Sequence, residues 1–301
     1  MKIATLFHNP QAGTEDHSKD EIISLLKDSN IECRYSSTKK KGWREEEIDP
    51  ESDMVIIAGG DGTIRNVIKQ LIKRPLHDKQ FPIGLLPLGT ANNISKTLGV
   101  TTDLPAMIKA WKNATKKKFD VGRLYNVEAE QFFIESFGYG IFPYLMLEMK
   151  KNGSEELEGE PEKKLALALK TMRDIVMSYP PKDCRLIIDG KDYSGKYLLA
   201  EVMNTRSIGP NINLAPLSDP GDGDFEVVLV REDDKDKFAS YIESLQTGSE
   251  EQYKFDTIIG QKISITWDGT HVHVDDEAVK VGKNTEVKIE ILGGVLKFLV
   301  P

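Results

Sequence analysis

The stretch Asp53-Met-Val-Ile-Ile-Ala-Gly59-Gly60-Asp61-Gly62-Thr63 decides how the first third of the chain is read. Its apolar run has no polar alternation, the pattern of a strand buried on both faces. Three glycines in four positions then turn the backbone tightly and let it approach a ligand, before a helix whose first N–H groups are open to a phosphate. Asp61 stands where such a loop can hold Mg²⁺, usually through water, or orient a reacting hydroxyl. The plainer reading is a glycine-rich turn with Asp61 as a helix cap.

Working outward, apolar runs at 3–7, 31–35, 54–58 and 83–86 read as strands. They alternate with helical patterns at 19–27, 67–73 and after the fourth strand to 98. This rhythm predicts a parallel sheet with right-handed crossovers, whose ligands bind at the strand carboxyl ends. Two further loops share that edge. Residues 86–93 exchange strand for helix through Gly89, with Thr90 and Asn92 as neutral hydrogen-bonding groups suited to a nucleotide, and residues 9–14 follow the first strand.

After about residue 120 the rhythm changes. Strand-like pieces at 132–137, 185–188, 197–203, 225–230, 263–267, 271–274, 287–292 and 296–300 are separated by Asp-Gly and Gly-Gly turns, which predicts an antiparallel sandwich. Apolar stripes at 165–176 and 238–245 read as two core-facing helices, and 150–164, rich in Glu, Lys and Gly, as a mobile surface loop. The division expected is an α/β domain over 1–120, a β-sandwich domain over 121–284, and a tail at 285–301 that packs back on the first.

The 301 residues suffice for two cores without staples. Forty Lys plus Arg against forty-eight Asp plus Glu leave a net charge of −8, the wrong sign for a protein that coats nucleic acid. Cys33 and Cys184 form no CxxC pair, which suits a reducing compartment. No run reaches the roughly 18 to 20 apolar residues of a membrane span, so a cytoplasmic protein with at most peripheral membrane contact is expected. The basic clusters at 39–44 and 116–119 read as solvated charge, with contact to anionic lipid as the alternative. GxxxxGK[ST], HExxH and GxSxG are absent from the sequence. His271 and His273 share one strand face and read as a surface pair rather than metal ligands.

Taken in order, NPQAG at 9–13, GGDGT at 59–63, PLGTAN at 87–92, Phe119-Asp120-Val121-Gly122, Ala215-Pro216 with Asp222-Gly223, and Asp275-Asp276-Glu277 resemble the diacylglycerol kinase catalytic-domain family. Bacterial lipid kinases related to diacylglycerol and sphingosine kinases carry these pieces over essentially the whole chain. The resemblance implies a nucleotide-binding α/β domain of the kind NAD kinases share, a lipid-binding β-sandwich, and phosphoryl transfer from ATP with Mg²⁺ to a lipid at a membrane surface, in a chain compatible with a homodimer. It implies that Gly59, Gly60, Asp61, Gly62 and Thr63 bind ATP phosphates and that Asn9, Gly89, Thr90 and Asn92 help enclose the nucleotide. Asp61 and Asp120 would hold Mg²⁺, Glu277 would take the acceptor's proton, and Asp219, Asp222 and Asp224 would form a second, structural cation site. Three departures stand out. The sequence has Asn66 where relatives usually carry Glu, Asn93 where the loop usually ends in Asp, and Asp276 where the family motif has Gly. The alternatives are an NAD kinase, against which the PLGTANN loop speaks, and a nucleotide- or lipid-binding scaffold that has lost turnover, suggested by Asn66 and Asn93.

Overall fold

The computed structural model describes residues 2–13, 17–46, 48–75, 78–151, 160–249 and 253–301. The chain divides into two compact units, Met1–Phe119 with Gly293–Pro301, and Asp120–Leu292.

The first unit alternates β1 (Lys2–His8), α1 (Lys19–Asp28), β2 (Ile31–Ser37), β3 (Met54–Gly59), α2 (Asp61–Lys73), β4 (Ile83–Pro87), α3 (Asn93–Thr97) and α4 (Leu104–Ala110). The strands lie parallel in the order β4-β3-β1-β2, with Leu6 opposite Tyr35 on one side and Ile56 on the other. Every residue of β3 and β4 is buried, as their unbroken apolar runs require. Side chains start two of the helices. Ser18 accepts from the Glu21 N–H ahead of α1, and Asp103 from the Ala106 N–H ahead of α4, a short helix absent from the sequence reading. β5 (Thr115–Tyr125) then carries the chain out of this unit.

The second unit adds β6 (Phe132–Phe133), β7 (Ser136–Gly140), α5 (Ile141–Lys151), α6 (Pro161–Ser178), β8 (Lys182–Ile188), β9 (Lys191–Asp192), β10 (Gly195–Tyr197) and β11 (Leu199–Met203). It continues with β12 (Ser207–Ile208), β13 (Ile212–Asn213), β14 (Phe225–Val230), α7 (Lys235–Thr247), β15 (Asp256–Gly260), β16 (Lys262–Trp267), β17 (His271–Val274), β18 (Glu277–Lys280) and β19 (Glu286–Val300). Within it β10-β8-β16-β19 pair antiparallel, and β15-β14-β11-β7-β17-β18 form a second antiparallel sheet. The two sheets close over a core that includes Phe133, Phe137, Tyr139, Leu186, Phe225, Ile265 and Trp267, a β-sandwich. The other face of the six-stranded sheet is covered by α5, α6 and α7 through Phe142, Met172, Phe238 and Ile242, packed with Leu199 and Val228. Covered on both faces, β7, β11 and β14 are buried throughout and show no alternation.

Several elements differ from the expectation. The strand expected over 132–137 breaks at Ile134 and Glu135, and the pieces at 287–292 and 296–300 are one strand, whose end lies parallel to β4 at Phe298 and Ile83. Phe298 packs edge-on against Phe119 at 4.9 Å, so residues 293–301 share the first unit's core. The loop expected over 150–164 has helical ends. Lys150 and Lys151 finish α5, and α6 starts at Pro161, where a proline's missing N–H is no loss. Its middle, 152–159, lies outside the described residues. Among the described residues no helix is long and apolar enough to cross a membrane.

Candidate nucleotide site and acceptor hairpin

In the first unit the three loops at the strand carboxyl ends are fastened to one another. Asn9 donates from Nδ2 to Thr63 Oγ1 at 3.3 Å, while its Oδ1 accepts from the Gln11 N–H at 3.1 Å. Gly60 and Gly89 touch backbone to backbone. A Cβ on Gly89 would lie 2.5 Å from Gly60 Cα, and one on Gly60 would lie 3.0 Å from Gly89 Cα. Asn92, in the left-handed region at φ 51°, closes its own loop by accepting from the Gly89 N–H and donating to the Gly89 carbonyl.

Asp61 opens α2 but caps its neighbour. Its Oδ2 accepts from the Asn93 N–H at 2.9 Å and its Oδ1 from the Ile94 N–H at 3.1 Å, the first residues of α3. The carboxylate therefore ties the second loop to the first. Lys96 on α3 feels it as well. Partial burial pulls the Lys96 ammonium below its ordinary pKa, and the Asp61 charge opposes that pull. Asn66 donates its amide to the Gly62 carbonyl at 2.8 Å, and Asn93 is buried.

Beside these loops lies a cavity of about 420 Å³, within the range of small-molecule sites. Asn9, Gly60, Gly62, Thr63, Asn66 and Gly89 line one part of it. Thr38, Lys39, Trp43 and Arg44, from the segment after β2, line another, and no motif in the sequence marks any of these four for a nucleotide. The Trp43 ring packs 6.2 Å from Phe7, and the Arg44 guanidinium lies 5.6 Å from the Trp43 ring centroid. Lys39 and Arg44 are exposed, as solvated charge should be, and also line the cavity, while neighbouring Lys40 is paired with Glu46. The topology held the signal, because β2 is the parallel neighbour of β1 and the segment leaving it ends on the same sheet edge. Thr90 is exposed and does not line this cavity.

In the second unit Asp120 is buried and bound to the acidic turn. Its N–H donates to the Pro220 carbonyl, and its Oδ2 accepts from the Gly223 N–H at 2.9 Å. Asp219 and Asp222 accept from the N–H groups of Gly221 and Asp224, and Asp224 accepts from Gln261 Nε2. Among the described residues no three His, Cys, Asp or Glu side chains converge as metal ligands. The carboxylates of Asp219, Asp222 and Asp224 act as acceptors that shape the turn.

Glu277 is exposed at the start of β18, directly after a two-residue turn formed by Asp275 and Asp276. Asp275 is the anchor of that turn. It is buried at φ 55°, and its Oδ1 accepts from the N–H groups of Ile134, Glu135 and Ser136 at 3.0, 2.8 and 3.3 Å. The surface reading of the two histidines fails for one of them. His271 is half-buried, but His273 is fully buried beside Glu201, because β17 is an inner strand of a covered sheet.

Residues 3–124 match the diacylglycerol kinase catalytic domain, and residues 158–300 match the YegS C-terminal NAD kinase beta sandwich-like domain. A diacylglycerol kinase of Bacillus subtilis (strain 168) is 29% identical over 238 residues, covering 77% of this chain and 74% of that protein. A crystal structure of a diacylglycerol kinase from Bacillus anthracis (strain Sterne) superposes with a TM-score of 0.71 at 21% identity, covering 100% of this chain and 97% of the other, which shows the shared fold. With the two matches together spanning most of its length, the chain belongs to the diacylglycerol kinase catalytic-domain family.

Proposed function

We propose that this protein transfers the γ-phosphoryl group of ATP to a hydroxyl of a lipid, a diacylglycerol, a sphingoid base or a related molecule, with Mg²⁺. The observation that carries the reading is the cavity of the first unit, lined by the glycine loops and Thr63 together with Trp43, Lys39 and Arg44. The loop N–H groups and the two cations suit a polyphosphate, and the Trp43 ring gives the adenine a flat apolar surface.

Phosphoryl transfer needs positioning and charge stabilisation more than covalent chemistry from the protein. Glycine at 60 and 89 brings the backbone donors close to the phosphates. Asp61 and Asp120 are each hard oxygen donors oriented by backbone N–H groups, a donor chemistry that suits Mg²⁺. The metal, when bound, would neutralise charge on the phosphates. Glu277 takes the proton of the acceptor hydroxyl as its oxygen attacks the γ-phosphorus and ADP leaves. The exposure of Glu277 suits a group that must meet an incoming substrate.

The test is transfer from γ-labelled ATP and Mg²⁺ into a panel of lipids in mixed micelles, with NAD as a soluble acceptor and Glu277→Gln as the control. Label in a lipid, lost in the control, supports the proposal and narrows the acceptor. Label in NAD replaces it with the NAD kinase reading. No label with ATP still bound supports the scaffold that has lost turnover.

A further inference from the structure

Glu201 on β11 and His273 on β17 are fully buried ionisable side chains that the reaction above does not use. Their strands are not neighbours. β7 lies between them, with Gly138 opposite Glu201 on one side and opposite His273 on the other. Alternate strands stand about 9.6 Å apart, and two side chains meet across the middle strand only where that strand has none. A Cβ on Gly138 would lie 2.0 Å from Glu201 Oε2.

Over this gap His273 Nε2 and Glu201 Oε1 are 2.5 Å apart. The other ring nitrogen, Nδ1, lies 2.8 Å from the Asp275 carbonyl oxygen. A carbonyl only accepts, so Nδ1 carries a hydrogen and donates it. The contact between Nε2 and Oε1 is then held by one further proton shared by the pair. Burial raises the Glu201 pKa. Burial alone would lower that of His273, but Glu201 and Asp275 together outweigh it and leave the imidazole above its ordinary value. The other groups that face the pair are Ser136 of β7, the Phe142 ring of α5 and Asp275 of the turn.

Asp275 is thus gripped twice, through its carboxylate by the backbone of 134–136 and through its carbonyl by His273. Two residues later comes Glu277. A buried ion pair stabilises a fold poorly compared with packed apolar side chains, so its contribution here is orientation. We propose that Glu201 and His273 are positioning residues for Glu277, the proton they share over Gly138 holding the Asp275 carbonyl and with it the turn that leads into Glu277. The inference rests on Glu277 as the proton acceptor.

The test is a cycle of wild type, His273→Gln, Glu277→Gln and the double variant, with kcat, KM for ATP and thermal unfolding measured for each. His273→Gln is expected to lower kcat by about 10- to 100-fold with KM for ATP within about 2-fold, as a misplaced group does. On the Glu277→Gln background it should cost nothing further. If Glu277→Gln keeps wild-type turnover, the base assignment fails and this proposal falls with it. If Glu277→Gln is inactive but His273→Gln turns over normally, or if the two losses multiply in the double variant, the proposal alone is overturned.

Should His273→Gln not fold, Glu201→Gln is close to isosteric and decides through the pH profile. In the wild type, turnover should fall on the alkaline side as the shared proton leaves and the Nε2 lone pair faces a carboxylate. In Glu201→Gln the neutral amide can donate to that lone pair, and the alkaline fall should be lost. An alkaline limb identical in the two proteins overturns the proposal.

Discussion

Missing side chains do opposite jobs in the two units. At Gly60 and Gly89 the absent Cβ atoms let two loop backbones touch, and the space opens to a cavity. At Gly138 the absent Cβ is filled by Glu201 and His273 reaching across a strand, and the space is closed and charged. The first arrangement is local. Each of its glycine loops follows a strand of the parallel sheet, so a short motif describes each of those loops. The second joins residues 72 positions apart and has no motif.

The largest effect should come from breaking the closed site. His273→Ala leaves the Glu201 carboxyl buried without its imidazole, which should cost about 3–5 kcal/mol in urea unfolding. The same pair should make wild-type stability pH-dependent. The folded pair keeps one proton at a pH where the unfolded histidine, near an ordinary value of about 6.5, has lost it. The folded state then binds more protons than the unfolded state, so this contribution is complete below the unfolded value and declines as pH rises above it. Melting temperatures from pH 6 to 9 should show the decline, and Glu201→Gln should flatten it.

The open site should lose less stability and more binding. In Gly89→Ala the new methyl group meets Gly60 Cα, backbone against backbone, and neither side can rotate away. Overpacking of this kind costs about 1–3 kcal/mol. Calorimetric titration with an ATP analogue should show affinity falling together with the melting temperature. Gly138→Ala should destabilise the protein but leave nucleotide affinity unchanged, which would separate the two kinds of glycine.

This contrast also explains what the sequence made legible. The parallel strands, the three loops and the antiparallel second half follow from apolar periodicity and glycine placement, which are local properties. The role of Asp61 was half legible. Its place at a helix start suggested a cap, but the helix it caps begins 32 residues later and is brought near by the β4 crossover. The place of Trp43 and Arg44 beside the cavity is not legible in the sequence, because the turn that returns them to the sheet edge hinges on Gly42 at φ 81°, with no motif around it. α5 carries a proline and is apolar on more than one side, so its pattern did not mark a helix. His273 read as a surface residue because nothing in its neighbourhood announces that α5 covers its face of the sheet.

Trp43 gives the next smaller effect. Stacking of a base on an aromatic ring contributes about 1–3 kcal/mol, and here the ring also contacts Phe7, which keeps it in place. Trp43→Ala should therefore raise KM for ATP about 10-fold while kcat stays within about 2-fold, since the adenine is far from the transferring phosphate and is bound equally in ground and transition states. Trp43→Phe should recover most of the loss. A fall in kcat with unchanged KM would remove Trp43 from the nucleotide site and weaken the contrast between an open, ligand-facing cavity and a closed, structural one.

The smallest effect asks whether the open site is a working one. Asn93 is buried at the first turn of α3, and its N–H already donates to Asp61. Asn93→Asp places a second carboxylate next to the first. The helix N-terminus favours the added charge by about 0.3–1 kcal/mol, and repulsion from Asp61 opposes it. Burial of the new charge adds to that repulsion, so without metal the variant should be less stable than the wild type. Added Mg²⁺ alters that balance, because a divalent ion converts the repulsion into shared coordination. In a slow kinase the Mg²⁺ concentration for half-maximal rate should fall and kcat should rise a few-fold. In a scaffold without turnover the variant would bind Mg²⁺ more tightly and still transfer nothing. Rate and metal titration measured on the same preparation distinguish these results, because a gain in metal affinity with no phosphorylated lipid can arise only if the remaining groups, Glu277 among them, do not bring an acceptor hydroxyl into reaction.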